Sequence, residues 1–237
     1  MLSSRSIAQR LPDLPRWVEV RDLLLDESGE ISGLQEDPEL SFVIREPETA
    51  PVFVVGTPAS EVIQAAIQPS AQIPDVIAPQ EHAAWLAQIL PDWIRRRIIV
   101  HTLPSLGTLP AVSPGQVQFL EPQAIHQLPI PEELFRELQS GARHSPIAAT
   151  VVENQPVSFC YAGSLTESLW DVAIDTLSEY RGKGYAALCA AHMIRHMQTE
   201  GRKPVWQAEE DNPASWRLAN KLGFVPVDEL ALFERPM

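Results

Sequence analysis

Tyr180-Arg181-Gly182-Lys183-Gly184-Tyr185-Ala186 joins a stretch of strand-like alternation to a stretch of helical periodicity. Before it, Leu169, Asp171, Ala173 and Asp175 alternate with Trp170, Val172, Ile174 and Thr176, which predicts a strand over Ser168 to Thr176. After it, Ala186, Ala190, Met193, Ile194 and Met197 make the apolar stripe of a long helix that should end at Gly201. A glycine-rich turn in that position leaves backbone N–H groups uncovered, and the helix start adds unsatisfied donors and the positive end of the macrodipole. Such a turn suits a phosphate group, and Arg181 and Lys183 add positive charge. A Gly-x-Gly alone is equally what an ordinary strand–helix turn with solvated basic residues contains, so the surroundings must decide.

Working outward, Pro204 to Ala208 reads as a further strand, and Asn212-Pro213 starts a helix with Asn as N-cap and Pro at the first helical position. That helix stops at Gly223, with Phe224 placed for the hydrophobic contact that accompanies a glycine C-cap. On the N-terminal side, Val117 to Leu120 is a strand and Pro131 to Gln139 a helix. Ile147 to Glu153 and Val157 to Tyr161 are two strands joined at Asn154-Gln155-Pro156. Leu103 to Gly115, rich in Pro and Gly and free of charge, has the composition of a connector. Upstream, Leu40 to Arg45 and Val52 to Val55 are strand-like, and Pro58 to Gln68 and His82 to Leu90 helical. A helix resumes over Trp93 to Val100 after Pro91, and Asp26 to Glu39 and Glu46 to Pro51 look like surface loops. The reading is a mixed α/β (α+β) chain: a smaller α/β domain over 1–104, a linker over 105–115, and a mixed central sheet flanked by helices over 116–237.

The formal charge of -13 repels phosphate backbones and anionic lipid head groups, so neither nucleic acid nor membrane is an expected partner. Cys160 and Cys189 are the only cysteines, too few for a zinc-ligand pattern or a disulfide framework, which fits a reducing, cytoplasmic setting. No apolar run approaches the ~20 residues of a spanning helix. His192 and His196 lie four apart on one helix but lack an evident third ligand, so no metal is expected. Arg95-Arg96-Arg97 reads as the solvated end of an element.

Arg181, Gly184 and Ala186 fill the fixed positions of the pyrophosphate loop Arg/Gln-x-x-Gly-x-Gly/Ala, and Asp211-Asn212-Pro213-Ala214-Ser215 followed by Lys221-Leu222-Gly223-Phe224 resembles the next block of the same family. From about Gln116 onward the chain thus resembles the GNAT superfamily, the N-acetyltransferases related to the general-control histone acetyltransferase, here with a long divergent N-terminal extension. The resemblance implies acetyl-CoA as co-substrate and direct attack of an amine, small-molecule or peptide, on its thioester. It implies main-chain contacts from Ile174, Asp175 and Thr176 on a strand splayed from its neighbour. Pyrophosphate would be held by the amides of Arg181, Gly182, Lys183, Gly184, Tyr185 and Ala186. Asn212 matches a position that contacts the cofactor arm in many relatives, and is equally read as a plain N-cap.

One departure matters. Many relatives carry a tyrosine that protonates the leaving thiolate where this chain has Ala219. Tyr161 and Tyr185 are spare phenols that nothing in the sequence places near the sulfur, so no general acid is assigned. By position along the chain, Glu167, Asp171 and Glu209 are candidate general bases, each also readable as a solvated surface carboxylate. A rival reading is a module that binds acetyl-CoA or CoA and regulates a partner without catalysis. A plain nucleotide binder would need an acidic ribose ligand after the next strand begins, and Glu200 lies before it. Homodimer formation stays open.

Overall fold

The computed structural model describes residues 2–35, 40–47, 51–68 and 74–236. In chain order the first half holds α1 (Ser4–Arg10), α2 (Val18–Leu25), β1 (Glu30–Gln35), β2 (Ser41–Arg45), β3 (Val52–Val55), α3 (Ser60–Ala66), β4 (Val76–Pro79), α4 (Ala83–Ile89) and β5 (Ile94–Thr102). The second half holds β6 (Val117–Leu120), α5 (Pro122–Ile125), α6 (Glu132–His144), β7 (Ile147–Val152), β8 (Gln155–Leu165), β9 (Leu169–Thr176), α7 (Tyr185–Thr199), β10 (Lys203–Glu209), α8 (Pro213–Leu222) and β11 (Val225–Glu234). Two compact units result. One comprises Met1–Val100, Ala208–Asp211 and Val227–Met237, the other His101–Gln207 and Asn212–Pro226. The C-terminal strand therefore groups with the N-terminal residues, whereas the sequence reading drew one cut at 105–115.

In the first unit the strand order is β1-β2-β3-β4-β11-β5. β2 and β3 are antiparallel, β3 and β4 parallel across α3, and β11 runs antiparallel to β4 with Leu230 opposite Pro79 and Phe233 opposite Val76. Val43, Val54, Ile63, Leu86 and Phe233 form its buried centre. Two expectations are corrected here. The segment Trp93 to Val100 is not a resumed helix but most of strand β5: the β-branched run Ile98-Ile99-Val100 is buried, as a sheet rewards. Strand alternation sends Arg96 and Arg97 to different carboxylates, Asp211 and Glu234 for the first, Glu210 and Glu229 for the second. Two of the three arginines are thus charge-matched within the chain, while Arg95 is exposed. The acidic stretch Asp26 to Glu39 contains β1, paired antiparallel with β2, while its residues 36–39 lie outside the described ones.

In the second unit the order is β10-β9-β8-β7-β6. The hairpin β7–β8 turns at Glu153 and Asn154, both at positive φ (51° and 63°), the two-residue geometry that suits the twist of adjoining strands. Ile147, Ala149, Phe159 and Tyr161 share one face and pack with Leu138 of α6. The side chain of Cys160 points the other way and has Cys189 of α7 as a neighbour. Pro131 proves to be the N-cap of α6 rather than its first helical residue. The order of elements repeats between the units: an antiparallel pair, a parallel crossover through a helix, then a second helix.

The proline-rich connector is packed, not loose. Thr108 Oγ1 donates to the Leu222 carbonyl at the end of α8, and the Arg195 guanidinium of α7 donates to the carbonyls of Leu109 and Pro110. Gly223, at φ 93°, ends α8 against it, and a Cβ there would overlap the Thr108 side chain. Gly223→Ala should therefore lower stability by roughly 1–3 kcal/mol through backbone strain plus overpacking. Adding Thr108→Ala should recover only part of that loss, because the strain in φ remains. Urea unfolding of the two variants checks both statements.

Candidate active site

The site is built on β9. On one side it pairs with β8 along its length, from Leu165 opposite Trp170 to Ser158 opposite Thr176. On the other it pairs in parallel with β10 at only three positions, Leu169, Trp170 and Asp171, opposite Lys203, Pro204 and Val205. Both strands continue beyond, so from Val172 to Thr176 the edge of β9 that faces away from β8 is unpaired by β10. Ile174, Asp175 and Thr176, singled out from the sequence, lie in this stretch and are half-buried. The end of the strand is pinned from the β8 side. Ser158 Oγ donates to the Asp175 carbonyl at 3.0 Å and lies 2.8 Å from Thr176 Oγ1, and Leu177 N–H donates to the Val157 carbonyl.

The chain then makes a 3-10 turn over Ser178–Tyr180 and enters the glycine loop. Gly182 and Gly184 have φ of 74° and 87°, a left-handed backbone that favours glycine, and nothing lies within 4 Å of where either would carry a Cβ. Ala187 and Leu188 donate to the Gly184 carbonyl. Among the described residues no acceptor is bonded to the N–H groups of Gly182, Lys183, Gly184, Tyr185 or Ala186. Arg181 closes the loop on the strand, its Nε donating to the Thr176 carbonyl at 3.0 Å, and Lys183 Nζ sits 5.0 Å from the Tyr180 ring centroid. α7 is fixed beneath by Thr150 Oγ1, which donates to the Tyr185 carbonyl, and by the buried Ala187, Ala190, Met193, Ile194 and Met197. A row of open amides at the start of a 15-residue helix, flanked by cations, has the chemistry to receive an anion.

A second group of side chains meets β9 from the other elements. Tyr161 on β8, 6 % exposed, donates its hydroxyl to Asp175 Oδ2 at 3.2 Å and lies 3.5 Å from Glu137 Oε2 of α6. Gly141, four residues after Glu137 and on the same face, makes room: a Cβ there would overlap the Tyr161 ring. Burial raises the Asp175 carboxyl above the ordinary carboxylate range, and the Tyr161 hydrogen bond and the Arg181 charge oppose part of that rise. Glu137 is raised by burial and by the negative charges of Asp175 and Glu133. Burial and the same carboxylates push the Tyr161 phenol well up, so it stays a donor. Neither Glu137 nor the placement of Tyr161 was found from sequence. The available signal was Glu137 at helical spacing from Leu134, Leu138 and Gly141, at the exposed border of the face that α6 packs on the sheet.

The remaining candidates are dispersed. Glu167 is exposed in the β8–β9 turn, and Asp171 is half-buried on the part of β9 that β10 still pairs. Glu209 ends β10, where burial and Glu234 raise its carboxyl, and it also feels Arg96 and Asp75. Asn212 Oδ1 accepts from Ser215 N–H at 3.1 Å, the N-cap role. Ala219 is fully buried in α8 and offers no proton. Burial pushes the Cys189 thiol up to about 12 and Cys160 well above its usual value, so neither is a thiolate near neutrality. His192 and His196 lie against Phe119. Among the described residues no group of three His, Cys, Asp or Glu could hold a metal ion, and no helix is long and apolar enough to cross a membrane.

The model of the GNAT acetyltransferase family matches residues 118–233. That segment is a GNAT acetyltransferase domain. It contains β9, the glycine loop, α7 and α8. Among curated proteins the chain is similar to the uncharacterized N-acetyltransferase YdfB of Bacillus subtilis (strain 168), 36% identical over 102 residues, which covers 43% of this chain and 39% of that relative's length. Solved structures share the fold over nearly the whole chain. A GCN5-related N-acetyltransferase-like protein from Streptococcus suis 89/1591 has TM-score 0.71 at 18% identity, covering 98% of each chain. An acetyltransferase of the GNAT family from Colwellia psychrerythraea has TM-score 0.61 at 13% identity, covering 100% of this chain and 97% of that one. A tandem GNAT protein from the clavulanic acid biosynthesis pathway has TM-score 0.55 at 13% identity, covering 91% and 86%.

The raised carboxyl on β9 of the GNAT domain sets the direction of a stability test. Because Asp175 holds its proton more tightly in the fold than in the unfolded chain, its contribution is full below the unfolded value and is lost as pH rises through the folded one. Asn cannot ionise. Asp175→Asn should therefore melt higher than the wild type near neutral pH, with the gap shrinking toward acid, in thermal melts run across that range.

Proposed function

We propose that the protein moves an acetyl group from acetyl-CoA to an amine, small-molecule or peptide. The observation that carries this is the pairing of an open strand edge, Val172 to Thr176, with the amide cradle from Gly182 to Ala186. The residues fit the co-substrate: the amides of Gly182 to Ala186 with Arg181 and Lys183 suit its pyrophosphate, and the free main chain of Ile174 to Thr176 suits its pantetheine arm and acetyl carbonyl. When bound, acetyl-CoA supplies the thioester carbon to which the amine nitrogen bonds as the carbon–sulfur bond breaks. The chain's own part is to align the amine, to donate a main-chain N–H to the carbonyl oxygen, and to accept protons that the nitrogen gives up. The high values of both thiols favour direct transfer over an acyl-cysteine. The formal charge of -13 favours a cationic acceptor.

Ala219 favours a second reading, a domain that binds the co-substrate and regulates a partner, since no side chain at that position can protonate the thiolate. Calorimetric titration with acetyl-CoA and CoA, followed by thiol release across an amine panel, separates the two. Wild type should bind both and release thiol only with certain amines. Gly184→Glu, which puts a strained backbone and a negative charge in the cradle, should weaken binding at least about tenfold, ~1.4 kcal/mol. Arg181→Ala should weaken it less, by freeing the loop from Thr176. Binding without turnover on any amine would favour the regulatory module, and no binding would end both readings.

A further inference from the structure

We infer that Asp175 is the residue that takes the proton from the acceptor's ammonium group, and that Tyr161 is the positioning residue that aims its carboxylate. The inference rests on the acetyl-transfer reading and adds to it a proton path through named residues. An alkylammonium with a pKa near ~10 must lose a proton before its nitrogen can attack. In the step assigned here one N–H bond of the ammonium breaks, its electron pair stays on nitrogen, and the proton bonds to a carboxylate oxygen of Asp175, leaving a neutral amine beside a neutral acid.

Geometry selects Asp175 over the other carboxylates. It belongs to the stretch of β9 whose far edge β10 leaves open, so its Cα lies on the segment offered to the thioester. Its side chain is on the face that meets α6, where Tyr161 binds one oxygen, Oδ2, at 3.2 Å. Among the described residues no hydrogen bond engages Oδ1. Glu167 sits in an exposed turn and Glu209 in a different carboxylate group, so neither shares these features.

The charged groups around Asp175 tune it as a base. From α6 the carboxylates of Glu133 and Glu137 make its ionised form costlier, and so does burial. From the loop the Arg181 guanidinium, and from β8 the Tyr161 hydroxyl, favour the ionised form. A carboxylate with its affinity for protons raised is a stronger base than a solvated one. Gly141 completes the device by leaving room for the Tyr161 ring against α6.

The test uses the full chain and the amine that best supports thiol release. Asp175→Asn should bind acetyl-CoA within about twofold of wild type, by calorimetry, while kcat falls at least about a hundredfold. Tyr161→Phe removes a hydrogen bond that favours ionised Asp175, so the acidic limb of the pH–rate profile should move to higher pH. Glu137→Gln removes a like charge, and the limb should move to lower pH. Carboxyl carbon-13 NMR of the unliganded protein should show Asp175 titrating above the ordinary range, and higher still in Tyr161→Phe. Full turnover in Asp175→Asn that still binds acetyl-CoA would overturn the inference and leave acetyl transfer standing. An Asp175 that titrates like a solvated carboxylate and ignores Tyr161→Phe would overturn it as well, whatever the turnover. Failure of wild type to bind acetyl-CoA would instead sink the function on which the inference rests.

Discussion

The place where β9 and β10 stop pairing, after Asp171 and Val205, is the constraint on which the site depends. Two parallel strands joined through a helix ordinarily keep their ladder, because an unpaired backbone group shielded from water costs free energy. Here β8 holds β9 on one side while the other side is left with unspent donors and acceptors. What keeps that edge from collapsing is local stapling: Ser158 and Val157 hold the strand's end from β8, and Arg181 ties the loop back to Thr176. The helix that follows inherits the same economy. Its first amides face outward because two left-handed glycines set the turn, and its body is locked to the sheet by small apolar residues and by Thr150.

The missing phenol at Ala219 changes how the chemistry must be divided. With a fully buried alanine in that place, position 219 of α8 has no proton to offer a leaving thiolate. Polar groups that the chain does gather near the open strand are on the α6 side, where Glu137, Tyr161 and Asp175 form one hydrogen-bonded set. A set of this kind accepts protons more readily than it gives them to a thiolate, since the phenol is held strongly protonated by the carboxylates around it.

Much of the second half was legible because its signals are local. Strand alternation over Leu169 to Thr176, the Asn212-Pro213 start, the Gly223 stop and the glycine loop each act within a few residues, and the observed elements follow them. What could not be read was decided across long sequence separations. Trp93 to Val100 offers apolar spacing compatible with either period, and its strand state comes with partners more than a hundred residues away, Glu210, Glu229 and Glu234. Glu137 reads as one more acid on a surface helix until Tyr161, on another element, is brought against it. The connector at Leu103 to Gly115 has the composition of a linker, yet its carbonyls serve as acceptors for Arg195 and its threonine caps α8. Composition registers the absence of regular hydrogen bonding there, not the absence of contacts.

β11 carries a consequence for how the protein comes into being. The strand that lies between β4 and β5 is drawn from the far end of the chain, and Ala231 and Phe233 belong to the first unit's buried centre. A ribosome delivers β4 and β5 long before it delivers Leu230 to Phe233. Until Leu230 to Phe233 leave the exit tunnel, the backbone edge of β4 and the apolar surface of Val43, Val54 and Leu86 have no strand to cover them. The nascent N-terminal unit must therefore wait for β11, its bare sheet edge open to whatever else in the cell can pair with it.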